Sequence, residues 1–200
     1  MDIVQLTKLI KTGAGVHGVG DDTIKITKYA AKVKGKKVLD LGTGSGFTGI
    51  YFALNGRNVT ASDISLKALD IAKRNAINNK AKIKFVKSDL YGNIKDKFDL
   101  IIFNPPVGNA SGNPLIEFVK SFIPKNKLIL WVATKLFSGD RKELLGRFFL
   151  DSAKHLNKKG KIVTILHVSE KAFVENLIGK KINVLYHDKG FDYEVVRIDF

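Results

Sequence analysis

Short apolar runs alternate with longer amphipathic stretches from Lys36 to the end of the chain, and this alternation constrains the fold more than any other feature. Five runs predict strands: KKVLDL, NVTASD, AKIKFVKSD, FDLIIFN and KIVTILHV. The stretches FTGIYFALNG, SLKALDIAKRNAINN, DRKELLGRFFLDSAKHL and SEKAFVENLIG predict helices, with Ser65 capping the second and Ser169 opening the fourth. Strands that alternate with helices form a mostly parallel sheet joined by right-handed crossovers, so we predict an α/β, doubly wound fold.

Three further segments complete this prediction. The final stretch, KINVLYHDKGFDYEVVRIDF, predicts two strands around a turn at Asp188, Lys189 and Gly190. PLIEFVKSFI predicts a short helix, and KLILWVA has the composition of a strand and is expected to be extended. The run FDLIIFN lacks the period-two alternation of a half-exposed strand, which indicates burial on both faces.

The segment that precedes the alternating pattern, residues 1–35, predicts two helices and a loop. The first predicted helix has four apolar residues at helical spacing: Ile3, Leu6, Leu9 and Ile10. Gly13 is expected to end it, and Asp22 to cap a second helix over residues 23–32. The glycine-rich loop between them, GAGVHGVG with His17, forms either a lid over a cleft or only a flexible connection.

The composition narrows the class of protein. The chain has 200 residues, 44% of them hydrophobic, which suits one domain with residues 1–35 as helices and lid loop and residues 36–200 as the sheet core. There is no cysteine, which excludes disulfides, thiolate nucleophiles and cysteine-ligated zinc and makes a cytoplasmic location the expectation. The four histidines show no metal-ligand spacing, and no apolar run is long enough to predict a membrane span.

The net charge of +15 has two interpretations, an anionic partner or simple solubility. Basic residues cluster before the predicted strands: Lys36, Lys37, Arg57, Lys80, Lys82, Lys95, Lys97, Lys158, Lys159, Lys161, Lys180 and Lys181. Ligands of parallel sheets bind at the carboxyl ends of the strands, so these clusters are expected on the opposite side from the site. The charge therefore does not by itself argue for a nucleic acid in the cleft.

A glycine-rich turn follows the first predicted strand in VLDLGTGSG. Gly42, Gly44 and Gly46 allow the backbone to pass close to a ligand, and the next helix directs its N-terminus at the turn. A dinucleotide is one candidate, because the spacing of glycines from Gly44 onward also satisfies G-x-G-x-x-G. Asp40, two residues before the first glycine, disfavours a pyrophosphate and favours a ligand that carries an ammonium group.

Polar residues end the next two predicted strands. Asp63 lies 21 positions after Gly42 (63 − 42), where its carboxylate can accept hydrogen bonds from both hydroxyls of a ribose. Asp89, in VKSDLYG, is suited to an adenine amine, with Leu90 packing on the ring, although an ordinary turn aspartate is the alternative.

The fourth predicted strand ends in Asn104, Pro105 and Pro106, across the expected cleft from the glycine turn. The side-chain oxygen of Asn104 and the carbonyl of Pro105 offer two acceptors, and the proline rings stiffen the turn that carries them. An –NH2 group on a planar amide or base donates two hydrogen bonds, so these acceptors can orient its nitrogen toward an incoming methyl group. The bonds strengthen as the nitrogen becomes positive, which favours the transition state.

Together, DLGTGSG, SD and NPP resemble the class I S-adenosylmethionine-dependent methyltransferases, from Lys36 to the C-terminal hairpin. The resemblance implies a seven-stranded Rossmann-like sheet of order 3-2-1-4-5-7-6 with the last strand antiparallel. It implies S-adenosylmethionine as cofactor and methylation of a planar nitrogen, with Asn104, Pro105 and Pro106 as the catalytic motif. The residues that it places at the cofactor are Asp40, Gly42, Thr43, Gly44, Gly46, Asp63, Ile64, Ser88, Asp89, Leu90 and Asn104.

Within this class the chain looks most like the short, HemK-related glutamine methyltransferases of translation release factors. GVGDDT and GDRKELLGRFFLDSAKHLNKKGKI carry this likeness, and the first implies that Asp22 and Thr23 lie near the cofactor. Such short enzymes can work with a small zinc-binding activator that pairs along the third strand. The family usually has an aromatic residue after the two prolines, where this chain has Val107, and some RNA guanine methyltransferases have an aliphatic residue there.

Three other functions therefore remain open. The acceptor could be the exocyclic amine of a guanine or adenine in ribosomal or transfer RNA. The chain could also be an inactive methyltransferase-like module that binds RNA, which the intact Asn104-Pro105-Pro106 motif disfavours, or a nucleotide-dependent oxidoreductase.

Overall fold

The computed structural model describes residues 1–13, 16, 18–106, 141–190 and 192–200. Within them, seven strands form one sheet: β1 Lys37–Leu41, β2 Asn58–Asp63, β3 Ile83–Lys87, β4 Phe98–Phe103, β5 Leu156–His167, β6 Asn183–Asp188 and β7 Tyr193–Asp199. Their order is β3-β2-β1-β4-β5-β7-β6, and β7 is antiparallel to both of its neighbours. The Rossmann-like sheet that the resemblance implied is confirmed.

In the described part of the chain, six helical segments connect or cover the strands: α1 Ile3–Leu9, α2 Asp21–Ala31, α3 Phe47–Leu54, α4 Leu66–Asn78, α5 over residues 141–152 and α6 Val168–Ile178. A short 3-10 turn, Ala153–His155, joins α5 to β5. None of the helices among these residues is long and apolar enough to cross a membrane.

The central strand β4 contributes apolar side chains to the core on both faces of the sheet. Ile101 and Phe103 pack into an apolar cluster with α5 and α6 on one face, while Leu100 and Ile102 pack with α2 on the other. The predicted burial of both faces of this strand is confirmed. A third apolar cluster, built on Leu6, Phe47, Ile50 and Ala76, packs α1 against α3 and α4.

Two predicted boundaries at the N-terminus are wrong. α1 ends at Leu9 rather than at Gly13. Gly20 is the N-cap of α2, so Asp22 lies within the first turn of that helix instead of capping it. A carboxylate in a first turn interacts favourably with the free N–H groups and the positive end of the helix dipole, which explains its tolerance there.

Two boundaries near the C-terminus also differ from the prediction. β5 begins at Leu156, before the predicted KIVTILHV. His167 rather than Ser169 is the N-cap of α6, because the Glu170 side chain accepts a hydrogen bond from the His167 N–H at 2.9 Å and starts the helix directly after the strand. The helix predicted in PLIEFVKSFI, the extended segment KLILWVA and the residue His17 of the predicted lid lie outside the described residues.

Candidate active site

The carboxyl ends of neighbouring parallel strands bring most of the predicted site residues to one side of the sheet, here called the carboxyl edge. Leu41, at the end of β1, pairs with Ser62 of β2 and with Phe103 of β4. The residues that follow these three are Gly42, Asp63 and Asn104. They therefore lie at one level of the edge, which is where ligands bind in open α/β sheets.

The turn after β1 has a backbone that favours glycine. Gly42, Gly44 and Gly46 have φ angles of 68°, 55° and 87°, in the left-handed region. A Cβ atom on Gly46 would lie 3.0 Å from the Cβ of Ala72, which leaves no space for a side chain. Because Gly46 is also the N-cap of α3, the turn leads directly into the N-terminus of that helix.

Asp40 ties this turn to α3 from inside the protein. Its Oδ2 accepts hydrogen bonds from the Thr43 hydroxyl at 2.5 Å and from the Gly49 N–H at 2.9 Å. Burial raises the pKa of the carboxyl to about 6, although both hydrogen bonds act in the opposite direction. These two partners explain how the turn is held, and the contact of Asp40 with a cofactor ammonium group stays a prediction.

Asp63 holds the other side of the turn. Its Oδ2 accepts from the Gly44 N–H at 3.0 Å and its Oδ1 from the Ser65 N–H at 2.9 Å. A carboxylate has about four acceptor positions, so capacity for further donors remains. Ile64 beside it is 66% exposed and adds apolar surface to the edge. Ser65 accepts from the Ala68 N–H, which confirms it as the cap of α4.

The segment after β3 is held by its own side chains. The Ser88 hydroxyl donates to the Leu90 carbonyl at 2.7 Å and accepts from the Asn93 N–H at 2.9 Å, while Leu90 adopts a φ of 43°. Asp89 forms an exposed ion pair with Arg147 of α5 through its Oδ2 at 2.6 Å. This ion pair leaves acceptor positions on the Asp89 carboxylate, and its contact with an adenine stays a prediction.

Asn104 is joined to the first turn of α2. Its Nδ2 donates to Asp22 Oδ2 at 2.8 Å and lies 3.4 Å from Thr23 Oγ1. The first turn of α2 therefore contacts the end of β4 at the carboxyl edge. The structure thus brings Asp22 and Thr23 to Asn104, which lies more than 80 positions later in the sequence.

Sequence reasoning missed Arg141, which holds the turn after Asn104. Its buried guanidinium donates to the carbonyls of Pro105 at 3.1 Å and Pro106 at 2.5 Å, and it pairs with Glu170 at 2.7 Å. An arginine at the start of an amphipathic helix usually indicates a solvated face, so no sequence pattern would have revealed this role. Val107, where the family usually has an aromatic residue, lies outside the described residues.

Comparison with known families gives a match over more than half of the chain. The family model described as the methyltransferase small domain matches residues 23–138. This range includes α2 from Thr23 onward, the glycine turn, the segment after β3 and the Asn-Pro-Pro motif.

Two relatives are similar in sequence. A Methanocaldococcus jannaschii protein, provisionally named protein N5-glutamine methyltransferase, is 33% identical over 183 residues, 88% of this chain and 86% of that protein. The release factor glutamine methyltransferase of Lactococcus lactis is 34% identical over 149 residues, 72% of this chain and 52% of its own length. The chain thus spans most of the archaeal relative and about half of the bacterial one.

Solved structures with similar folds include two methyltransferases. The ribosomal protein L11 methylase of Lactobacillus delbrueckii subsp. bulgaricus has a TM-score of 0.67 and 21% identity, over 95% of this chain and 84% of the other. The 16S rRNA N2 G1207 methyltransferase of Thermus thermophilus, in complex with AdoMet and guanosine, has a TM-score of 0.65 and 18% identity, over 90% of this chain and 43% of the other. At these identities the likeness shows a shared fold.

Proposed function

The chain belongs to the methyltransferase small domain family, as a HemK-related member of the class I S-adenosylmethionine-dependent methyltransferases, and we propose that it methylates a glutamine side chain of a translation release factor. The observation that carries this proposal is the Asn104 amide, which is held by Asp22 at the carboxyl edge and followed by two prolines. The relatives named for glutamine methylation support the choice of acceptor.

The groups at the carboxyl edge fit S-adenosylmethionine. The remaining acceptor positions of Asp63 suit the two ribose hydroxyls, and exposed Ile64 offers an apolar surface to an adenine ring. The backbone of Gly42, Gly44 and Gly46 leaves this side of the cleft without bulky side chains. The other residues that we propose to line the cofactor site are Asp22, Thr23, Asp40, Thr43, Ser88, Asp89, Leu90 and Asn104.

The reaction requires an acceptor nitrogen whose lone pair points at the methyl group. When bound, S-adenosylmethionine supplies an electrophilic methyl group on a sulfonium. The side-chain oxygen of Asn104 and the carbonyl of Pro105 accept the two N–H groups of the amide, and Arg141 occupies only one of the two acceptor positions on that carbonyl. With the nitrogen held in this way by Asn104 and Pro105, its lone pair would form the N–CH3 bond as the S–CH3 bond breaks and leaves its electron pair on sulfur. The methylated nitrogen then loses one proton to water, so no general base is needed beforehand.

A guanine or adenine exocyclic amine in RNA is the second candidate acceptor. The fold is shared with the 16S rRNA methyltransferase solved with guanosine, and the same pair of acceptors suits an amine on a base. The lysines that precede β1, β3 and β4 are exposed at the opposite, amino edge of the sheet. They therefore do not direct RNA to the catalytic motif, which favours the protein acceptor.

We also propose that a small zinc-binding activator, which the resemblance allows, pairs with the outer edge of β3. This strand is the last in the sheet, and no strand among the described residues pairs with its outer side. A free strand edge offers backbone donors and acceptors to a partner. A release factor as acceptor would place the reaction in the cytoplasm.

The test uses the purified protein with S-adenosylmethionine labelled in the methyl group and, as acceptor, either purified release factor or ribosomal RNA from the same organism. We expect label in the release factor that protease removes and ribonuclease does not. Label in the RNA alone would support the second candidate instead. If release factor becomes labelled only when a small zinc protein is added, the activator is supported; full activity without it would exclude one.

The role of Asn104 is tested in the same assay. We expect Asn104→Ala to lower kcat by about 100-fold or more, because removing one hydrogen-bonding group that acts on the transition state costs this much. Asn78→Ala, at an exposed position at the end of α4, is the matched control and should keep kcat within about twofold. Turnover that survives Asn104→Ala undiminished would contradict the mechanism.

A further inference from the structure

The orientation of the Asn104 amide decides whether it can work as an acceptor. The oxygen and the –NH2 group at the end of an asparagine are nearly equal in size, and rotation by half a turn exchanges them. The covalent structure and the packing volume therefore do not choose between the two orientations. The choice is made by the hydrogen-bonding character of the groups around Asn104.

Asp22 makes this choice, because an ionised carboxylate only accepts hydrogen bonds. The observed orientation has Asn104 Nδ2 donating to Asp22 Oδ2 at 2.8 Å. The reversed orientation would bring Asn104 Oδ1 to the same distance from a negatively charged acceptor, with no proton between them. Thr23 does not select one orientation of the Asn104 amide, because its hydroxyl can either donate or accept a hydrogen bond.

Asp22 lies at the end of α2 where a carboxylate finds backbone donors. Asp22 is the second residue of the helix, after the N-cap Gly20, and lies among the free N–H groups of the first turn. Negative charge is stabilised at this end of a helix. The neighbouring Asp21 shares the same helix end but is exposed, and the hydrogen bonds from Asn104 go to Asp22 and Thr23.

We propose that Asp22 is a positioning residue that orients the Asn104 amide so that its Oδ1 faces the acceptor nitrogen. The inference rests on the proposed function for its catalytic consequence. A charge-assisted hydrogen bond from Nδ2 also polarises the amide and makes Oδ1 a stronger acceptor as the nitrogen becomes positive. Asp22 thus acts through Asn104, whereas the family resemblance alone implied only proximity to the cofactor.

Two substitutions separate charge from shape at this position. Asp22→Asn keeps the shape but offers an –NH2 group, so both orientations of Asn104 become available and the charge-assisted bond is lost. Asp22→Glu keeps an acceptor-only carboxylate at a changed length. We expect kcat to fall about tenfold in Asp22→Asn, by less in Asp22→Glu, and by less than twofold in the matched control Asp21→Asn. Because Asp22 also lines the proposed cofactor site, some loss of affinity for S-adenosylmethionine is expected in Asp22→Asn, but calorimetry should show a smaller factor than the fall in kcat.

A second readout does not depend on activity. In protein labelled with 15N asparagine, the Asn104 side-chain NH2 signals are identified by their loss in Asn104→Ala. We expect them to shift or broaden in Asp22→Asn and to stay unchanged in Asp21→Asn. If these shifts occur but no substrate is methylated by the wild type, the proposed function fails while the assignment of Asp22 stands.

Three results would overturn the inference. The first is unchanged Asn104 NH2 signals in a folded Asp22→Asn protein. The second is a loss confined to S-adenosylmethionine binding with kcat unchanged, because Asp22 would then serve the cofactor alone and not the orientation of Asn104. The third is a lower kcat in Asp22→Glu than in Asp22→Asn, because that order follows the shape of the side chain and not its charge.

Discussion

Asp40 has its carboxyl group beneath the glycine turn, where it receives hydrogen bonds from Thr43 and Gly49 and where burial raises its pKa to about 6. The folded protein therefore binds this proton more tightly than the unfolded chain, in which an aspartate has a pKa near 4. Between about pH 4 and 6, Asp40 is protonated in a larger fraction of folded than of unfolded molecules. The contribution of Asp40 to the free energy of unfolding therefore falls as the pH rises through that window.

Asp40→Asn removes this titration, so we expect the variant to gain stability relative to the wild type as the pH rises from 4 to 7. The upper bound of the relative gain is about 3 kcal/mol, from a pKa difference of about two units. Urea unfolding at several pH values measures it. Asp70→Asn, at an exposed position of α4, is the control, and parallel pH profiles for wild type and Asp40→Asn would contradict the assignment.

At the scale of elements, one buried side chain connects α5, the end of β5, α6 and the turn after β4. Arg141 donates hydrogen bonds to the carbonyls of Pro105, Pro106 and Ile165. It also forms an ion pair with Glu170, and the second carboxylate oxygen of Glu170 accepts from the N–H of His167, the N-cap of α6. The prolines alone stiffen the turn, but they do not fix it relative to the sheet. The arginine supplies that attachment.

Arg141→Met should lower the free energy of unfolding by about 3–5 kcal/mol, because it leaves the buried carboxylate of Glu170 without its charged partner. The exposed pair of Arg147 with Asp89 provides the matched control, and Arg147→Met should cost less than about 1 kcal/mol. Chemical denaturation of the three proteins measures both values. Equal losses in the two variants would show that Arg141 has no special structural role.

At the scale of the whole molecule, the sheet separates the proposed catalytic motif, Asn104 and the two prolines after it, from the basic amino edge. Lys36, Lys82 and Lys97 are exposed directly before β1, β3 and β4, whereas Asn104 follows β4 at the carboxyl edge. Strands of five or six residues span about 15–20 Å, which exceeds the Debye length of about 8 Å at physiological salt. Charges at the amino edge therefore act weakly on the reaction.

With the proposed acceptor, a release factor, the triple substitution Lys36→Gln, Lys82→Gln and Lys97→Gln should leave kcat and KM within about twofold at physiological salt. Steady-state kinetics with labelled S-adenosylmethionine is the measurement. A severalfold increase in KM would indicate that the acceptor contacts the amino edge. It would also remove one argument for the protein acceptor over RNA.

The sequence by itself determined the features that depend on neighbouring residues. Among the described residues, the alternation of apolar runs predicted the strands and helices, although not all of their boundaries. Glycine spacing located the turn after β1, and Ser65 was identified as a cap because capping is a contact between residues three positions apart. The strand order came from family resemblance, and the position of Asp63 and Asn104 at one edge follows from parallel strands.

Only the tertiary structure determined which of these polar groups form hydrogen bonds with one another. The contacts of Asn104 with Asp22 and of Arg141 with the proline carbonyls join elements that are distant in sequence. A buried polar group takes whatever partner the packing of the elements places within hydrogen-bonding distance, because leaving it unpaired is costly. That placement depends on the crossing of whole helices and strands, so residue types and their spacing do not reveal it.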